Sequence, residues 1–299
     1  MASLPYKEAR LANGEVMAYK ECGQGPDTIF FVHGNMVTTQ CWEAFMQTLP
    51  PQYRCIACDL RGAGETTYNR PIELIRQFSN DLFFFCQELN LTRFVLVGLS
   101  MGGAVVQQFA VDYPEKVEKL VLMDSVPSRG YPDPFRDETG KPVPGRFRNR
   151  WEQVETDPVQ ILPIWLALRS RDYEAMRTIF SRAVFNVKTP DESFYKEFIE
   201  NCFTIRNYPD CAWAIDIFNI GHTFNGVSQG TGEIDKLVMP TLVMVGEKDL
   251  VFSVDSARQT AEDIGANAEF TVISNSGHIP AVDNPDEVRE KLLAFIRKQ

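Results

Sequence analysis

Short apolar runs alternate with amphipathic stretches toward both ends of the chain, and the alternation breaks in the middle. Thr28–Val32, Tyr53–Cys58, Phe94–Val97 and Val117–Met123 are apolar and β-rich, and Thr241–Val245 and Phe270–Ile273 resume the series further on. Between them, Gln77–Leu89 carries Phe78, Leu82, Phe85 and Leu89 at helical spacing. Gly103–Tyr113 reads as a helix stopped by Pro114, and Ser253–Ile264 and Pro285–Arg297 as two more. Continuous apolar runs predict strands buried on both faces, and the helices between them predict the crossovers of a mostly parallel sheet. Near the start, Glu8–Leu11 and Val16–Glu21 flank Asn13-Gly14, a strong hairpin signal.

From about Val126 to Glu233 the β-rich runs disappear. Ser128–Gly145 is rich in Pro, Gly and charge and predicts a linker or mobile loop that gates entry to a site. Trp151–Phe224 has aromatics at helical spacing and predicts a helical insertion between two parts of one sheet domain. The expected division is a core of residues 1–126 and 234–299 with an inserted segment, 127–233. Most of its aromatics must form the insertion's own core. A few, with Trp165, Trp213 and Phe218 as candidates, would line an apolar pocket, and His222 would sit at a polar edge of it. The competing reading makes Phe218–Gly232 a return loop closed by its own turn bonds.

Composition narrows the class. The 299 residues include 44% hydrophobic and 23% charged side chains, enough for a sizeable core and too apolar for whole-chain disorder. Thirty basic against forty acidic residues leave a net charge of −10, which argues against a nucleic-acid partner and weakly against anionic membrane. No apolar window is long enough for a transmembrane helix, and Met1–Arg10 lacks the apolar stretch of a secretory signal. Seven cysteines, an odd number in a long chain, favour a reducing, cytoplasmic setting over a disulfide framework. Cys55 and Cys58 form a C-x-x-C, but within a strand they point to opposite faces and do not make a redox pair.

Candidate chemistry centres on Gly98-Leu99-Ser100-Met101-Gly102, a G-x-S-x-G between a strand and a helix. A sharp strand-to-helix turn lifts a serine hydroxyl above the sheet edge, and the helix start offers unpaired N–H groups to an oxyanion. A serine needs a base. Of the three histidines, 33, 222 and 278, His278 follows the last strand in Ser276-Gly277-His278 and falls on the elbow's side of the sheet. The carboxylate that steadies it is Asp249, which suits the order Ser, Asp, His, or Asp124, just past Val117–Met123. In His33-Gly34-Asn35, the N–H of Asn35 would join that of Met101 as oxyanion donors, with the Asn35 side chain either assisting or capping. The histidine spacing fits no metal motif, and there is no phosphate- or dinucleotide-binding loop, so no metal or cofactor is expected.

Together with Asp59-Leu60-Arg61-Gly62-Ala63-Gly64 and Gly246-Glu247-Lys248-Asp249, these motifs occur in one order and spacing that resembles the α/β-hydrolase superfamily, in its esterase, lactonase and haloperoxidase-like branch. The likeness covers about 1–126 and 234–299. It implies a mostly parallel sheet flanked by helices, with residues 127–233 as a helical cap. Ala63 and Thr66 depart from the pattern usual in the Asp-x-Arg-Gly loop, which mainly supports structure. A serine at the elbow excludes the dehalogenase and epoxide hydrolase branches, which resemble this chain in their His-Gly-Asn turn but use an aspartate there. The implied activity is hydrolysis of a small, largely apolar ester or lactone, such as a hydroxyalkanoate oligomer or an acyl-lactone. Peroxide-dependent or C–C bond hydrolysis with the same three residues, or a non-enzymatic small-molecule receptor, remains open at the level of sequence.

Overall fold

The computed structural model describes residues 3–137 and 139–298. Met1 and Ala2 of the N-terminal segment, Glu138 of the predicted loop and Gln299 lie outside them. In chain order the strands are β1 (Lys7–Arg10), β2 (Val16–Cys22), β3 (Asp27–Val32), β4 (Tyr53–Cys58), β5 (Phe94–Leu99), β6 (Val117–Met123), β7 (Pro134–Arg136), β8 (Pro142–Phe147), β9 (Thr241–Gly246) and β10 (Ala268–Ile273). The helices are α1 (Gln40–Met46), α2 (Ile75–Glu88), α3 (Met101–Asp112), α4 (Trp151–Glu155), α5 (Leu162–Ser170), α6 (Tyr173–Ala183), α7 (Glu192–Cys202), α8 (Tyr208–Ile217), α9 (Val254–Ile264), α10 (Pro280–Asp283) and α11 (Pro285–Arg297).

Eight strands form one sheet in the order β1-β2-β4-β3-β5-β6-β9-β10. β1 and β2 pair antiparallel and β2 meets β4 antiparallel, while every pairing from β4 to β10 is parallel. The parallel strands are apolar at nearly every position because both faces are covered. Phe30, Ile56, Cys58 and Leu96 pack under α2, α3 and α9. Ile29, Phe31, Cys55 and Val97 face the other way, toward α1 and α11. Cys55 and Cys58 are therefore on opposite faces, as the strand period requires. The residue paired with Cys55 across the sheet is Cys22, and all seven cysteines are free thiols.

Three local features differ from the sequence expectation. The β1–β2 connection takes five residues, Leu11 to Glu15, and not two; Gly14 adopts φ 90° and its N–H donates to Leu11 O at 3.0 Å. The short helix α1 carried no clear periodicity. The predicted loop Ser128–Gly145 holds β7 and part of β8, an antiparallel pair in a region expected to be free of strands. That pair has no apolar alternation to reveal it. Its turn is built by Asp137, whose carboxylate accepts from the N–H groups of Thr139 (2.8 Å) and Lys141 (3.0 Å). The other regular elements between β6 and β9 are the helices α4 to α8 and a 3-10 turn at Glu233–Lys236. Among the described residues no helix is long and apolar enough to cross a membrane.

Candidate active site

The carboxyl ends of β5, β6, β9 and β10 lie side by side, and each loop leaving them carries one of the residues singled out above. β5 ends in Ser100, which has φ 56° and ψ −122°. A side chain held at positive φ costs about 1–3 kcal/mol, so neighbouring bonds must impose it. The Ser100 N–H donates to Met123 O at 3.1 Å, and its carbonyl accepts from Gly103 N (2.9 Å) and Val126 N (3.0 Å). The elbow is thus stitched to the end of β6. Glycine at 102 is dictated by close approach: a Cβ there would stand 2.4 Å from His33 O. On the facing turn, a Cβ at Gly34 would fall 2.8 Å from the Ser100 Cβ.

Asp249 and His278 come from the loops after β9 and β10. Backbone bonds lock these loops together: Glu247 N donates to Ile273 O (2.9 Å) and Lys248 N to Ser276 O (2.8 Å). That places His278 Nδ1 3.0 Å from Asp249 Oδ2. Both side chains are buried, and the Phe252 ring lies beside the imidazole, centroids 5.5 Å apart. A residue between α6 and α7 holds the same loops, since Asn186 Nδ2 donates to Lys248 O at 2.9 Å. A Cβ on Gly277 would come 2.3 Å from Asn186 Oδ1.

Asp124, the alternative acid, is fully buried at the end of β6 with φ 41°. Its Oδ1 accepts from Gly246 N at 2.8 Å. Among the described residues its Oδ2 has no partner while both acids are ionised, and the Asp249 carboxylate lies beside it. Burial, then the Asp249 charge, push the Asp124 carboxyl well above the usual range. Protonated, it donates to Asp249. Burial works against ionisation of Asp249 too, but the His278 charge and hydrogen bond, with the bond from Asp124, outweigh it and draw this carboxyl below its usual value. The two adjacent acids are thus pushed in opposite directions, and the imidazole is turned to the one that is drawn down. The polar atoms of Asp124, Asp249 and His278 lie within 4.8 Å of one another.

His33 is engaged on both ring nitrogens: Nε2 accepts from Leu60 N (2.8 Å) and Nδ1 faces Gly34 O (2.7 Å), where it can only donate. Burial lowers its pKa, consistent with the neutral ring these partners require. It braces the turn carrying Asn35 against the loop after β4. Asn35 Oδ1 accepts from Met36 N at 2.9 Å, so this side chain closes its own turn. Met101 opens α3, where its N–H has no intrahelical partner. In the Asp-x-Arg-Gly loop, Asp59 accepts from Thr39 N and Glu65 N, and Thr66 Oγ1 donates to Asp59 O.

Ser100, Asn35 and His278 open onto one cavity of about 260 Å³. Its apolar lining includes Ile161, Ile164, Ile179, Phe180 and Val184, and its polar lining Tyr208, Arg148, Asp133 and Asp216. The four pocket residues expected from sequence lie elsewhere. Phe218 is buried against the sheet domain. Trp213 lines a separate depression with Trp151 and Asp210. Trp165 packs partly buried under the Arg169 guanidinium. His222 is on the surface, 3.0 Å from Asp235, in a loop whose bonds run from Asn219 to Thr223 O and Ser228 O, the return-loop arrangement. No motif pointed to Arg148 or Asp133. The one signal was Asp216, a lone acid in the apolar end of Tyr208–Ile217.

A family model described as the alpha/beta hydrolase fold matches residues 27–285. The monoacylglycerol lipase of Mus musculus is 23% identical over 90% of this chain and 75% of its own length. Epoxide hydrolase 4 of Mus musculus is 22% identical over 92% and 74%. Among solved structures, an esterase from Exiguobacterium antarcticum superposes with a TM-score of 0.76 at 19% identity, covering 98% of this chain and 99% of that one.

Proposed function

The chain belongs to the alpha/beta hydrolase fold family, and from that premise we propose that it is a serine hydrolase cleaving a carboxylic ester or lactone through an acyl-enzyme. One observation carries the reading: His278, hydrogen-bonded to Asp249, opens onto the same cavity as a serine held at positive φ at a helix start. With Nδ1 engaged by Asp249, the imidazole keeps Nε2 for the Ser100 hydroxyl. As Ser100 Oγ attacks the carbonyl carbon, Nε2 takes its proton, and the ionised Asp249 steadies the imidazolium. The N–H groups of Met101 and Asn35 receive the oxyanion. The proton then passes to the leaving alcohol, or to the ring oxygen of a lactone. Water, deprotonated by the same imidazole, releases the acid and restores Ser100.

Residues 127–233 act in this reading as the cap, roofing the cavity. Its apolar lining favours a small, largely apolar acyl or alkyl chain, since the volume lies just below the 300–1,000 Å³ common for ligand sites. The test is a series of p-nitrophenyl esters of increasing chain length beside simple lactones. The native chain turns over the short members and is labelled by a fluorophosphonate. Ser100→Ala loses turnover by at least about 10⁴-fold and is not labelled. Normal labelling of that variant would remove Ser100 from its role.

A further inference from the structure

The cap brings an unusual polar group to the cavity wall. Arg148 is 1% exposed, and three carboxylates share its guanidinium: Asp133 at 3.2 Å, Asp216 at 3.2 Å and Asp157 at 3.3 Å. These contacts are long for charge-assisted bonds, which favour about 2.7–2.9 Å. Asp157 is otherwise committed, accepting from Val159 N and Gln160 N. Asp216 accepts from Asp133 N. Among the described residues the ion-pair partners of the Asp133 carboxylate are Arg148 and, at 3.9 Å, the part-exposed Arg136. Asp133, Asp216 and Arg148 all line the cavity. Burial first, then the Asp133 charge, leave the Asp216 carboxyl pushed up to about 7 despite the guanidinium.

A second observation is independent of this cluster. Tyr208 is 6% exposed and lines the same cavity. Among the described residues its hydroxyl has no protein hydrogen-bond partner, and its oxygen is not sealed away, so it is open to the cavity. A group from outside the chain is the natural partner.

The charges decide what kind of group that is. A ligand carboxylate would meet the carboxylates of Asp133 and Asp216, and a ligand ammonium would have to take carboxylates that Arg148 already engages. Either ion would also lose its hydration on entering. A neutral hydroxyl meets neither objection. It donates to a carboxylate with spare lone pairs and accepts from the Tyr208 O–H.

We propose that this cap wall is a subsite for a neutral hydroxyl, so that the chain prefers esters carrying a hydroxyl away from the scissile bond. This rests on the ester-hydrolase reading for the bond that is cut. The hydroxyl belongs to either half of the ester, and two matched pairs separate the cases. Methyl ω-hydroxyhexanoate against methyl heptanoate tests the acyl half; ω-hydroxyhexyl acetate against heptyl acetate tests the alcohol half. Each is measured twice, as kcat/KM with the native chain and as binding to Ser100→Ala by ligand-observed NMR.

In at least one pair the hydroxylated ester is favoured about tenfold in both measurements, the worth of one good hydrogen bond. Tyr208→Phe, which removes only the unpartnered oxygen, cuts that ratio severalfold. Equal treatment within both pairs, a preference untouched by Tyr208→Phe, or tighter binding of the anionic half-ester methyl adipate would overturn the proposal. Binding preference without turnover keeps the subsite and sinks the hydrolase reading; turnover without preference sinks the subsite alone.

Discussion

The two walls of the cavity are held by different means. On the sheet side, main-chain bonds fix the elbow and the loops of the acid and the base. The elbow is sewn to β6 through Ser100 N and O, and the loops of Asp249 and His278 are sewn to each other. On the cap side, one buried guanidinium and three carboxylates from separate segments converge. A wall built on backbone geometry tolerates change where its side chains are not themselves reactive. A wall built on buried charge is exposed to the loss of any one partner, because the survivors keep their desolvation cost.

The sharpest test of the sheet wall is the contrast between its two acids. Asp249→Asn should lower kcat by on the order of 10²–10⁴, as a misheld imidazole does. Asp124→Asn should cost less than about tenfold, because an amide can still donate to Asp249 and accept from Gly246 N. Steady-state kinetics on a p-nitrophenyl ester decides it, and the reverse ranking would move the acid role to Asp124.

The cap wall should respond in stability. Arg148→Met strands three carboxylates and should destabilise the fold by about 3 kcal/mol near neutral pH, read from denaturant midpoints. The gap should narrow on acidification, when the stranded acids protonate. A loss below about 1 kcal/mol would show the cap cluster to be as forgiving as a surface pair.

The smallest effect is again at Asp124. Its folded pKa is raised above the unfolded one. The stability tied to its proton is therefore whole below about pH 3.9 and drains away as pH climbs through the folded value. Asp124→Asn has no such proton to lose, so its stability relative to the native chain should rise with pH over that window. A constant difference would mean that Asp124 titrates alike in the folded and unfolded chain.

The same contrast governs what the sequence made readable. β4, β6 and α11 run between the residues that their periodicity marked. Ser100, Asp249 and His278 stood at strand ends because a backbone turn needs particular residues at particular spacings. The cap wall left no such trace. Arg148 looks like one more charge in Arg146-Phe147-Arg148-Asn149-Arg150, and nothing local says that it alone is buried. Its partners, Asp133, Asp157 and Asp216, are separated by tens of positions, so only the folded packing unites them. The aromatics expected in the pocket failed for a related reason: helical spacing shows that Phe218 is inward, not which interior it enters. β7 and β8 were hidden because their pairing buries no apolar face.

Asn186 carries a consequence for anyone recombining these proteins. It reaches out of the insertion to clasp the Lys248 carbonyl, and it abuts Gly277 so closely that no methyl would fit between them. In the proposed reading of residues 127–233 as a roof, that segment is therefore no interchangeable module. A foreign roof grafted here without a matching amide would slacken the hinge between acid and base, and a loss of rate would then be mistaken for a change of substrate taste.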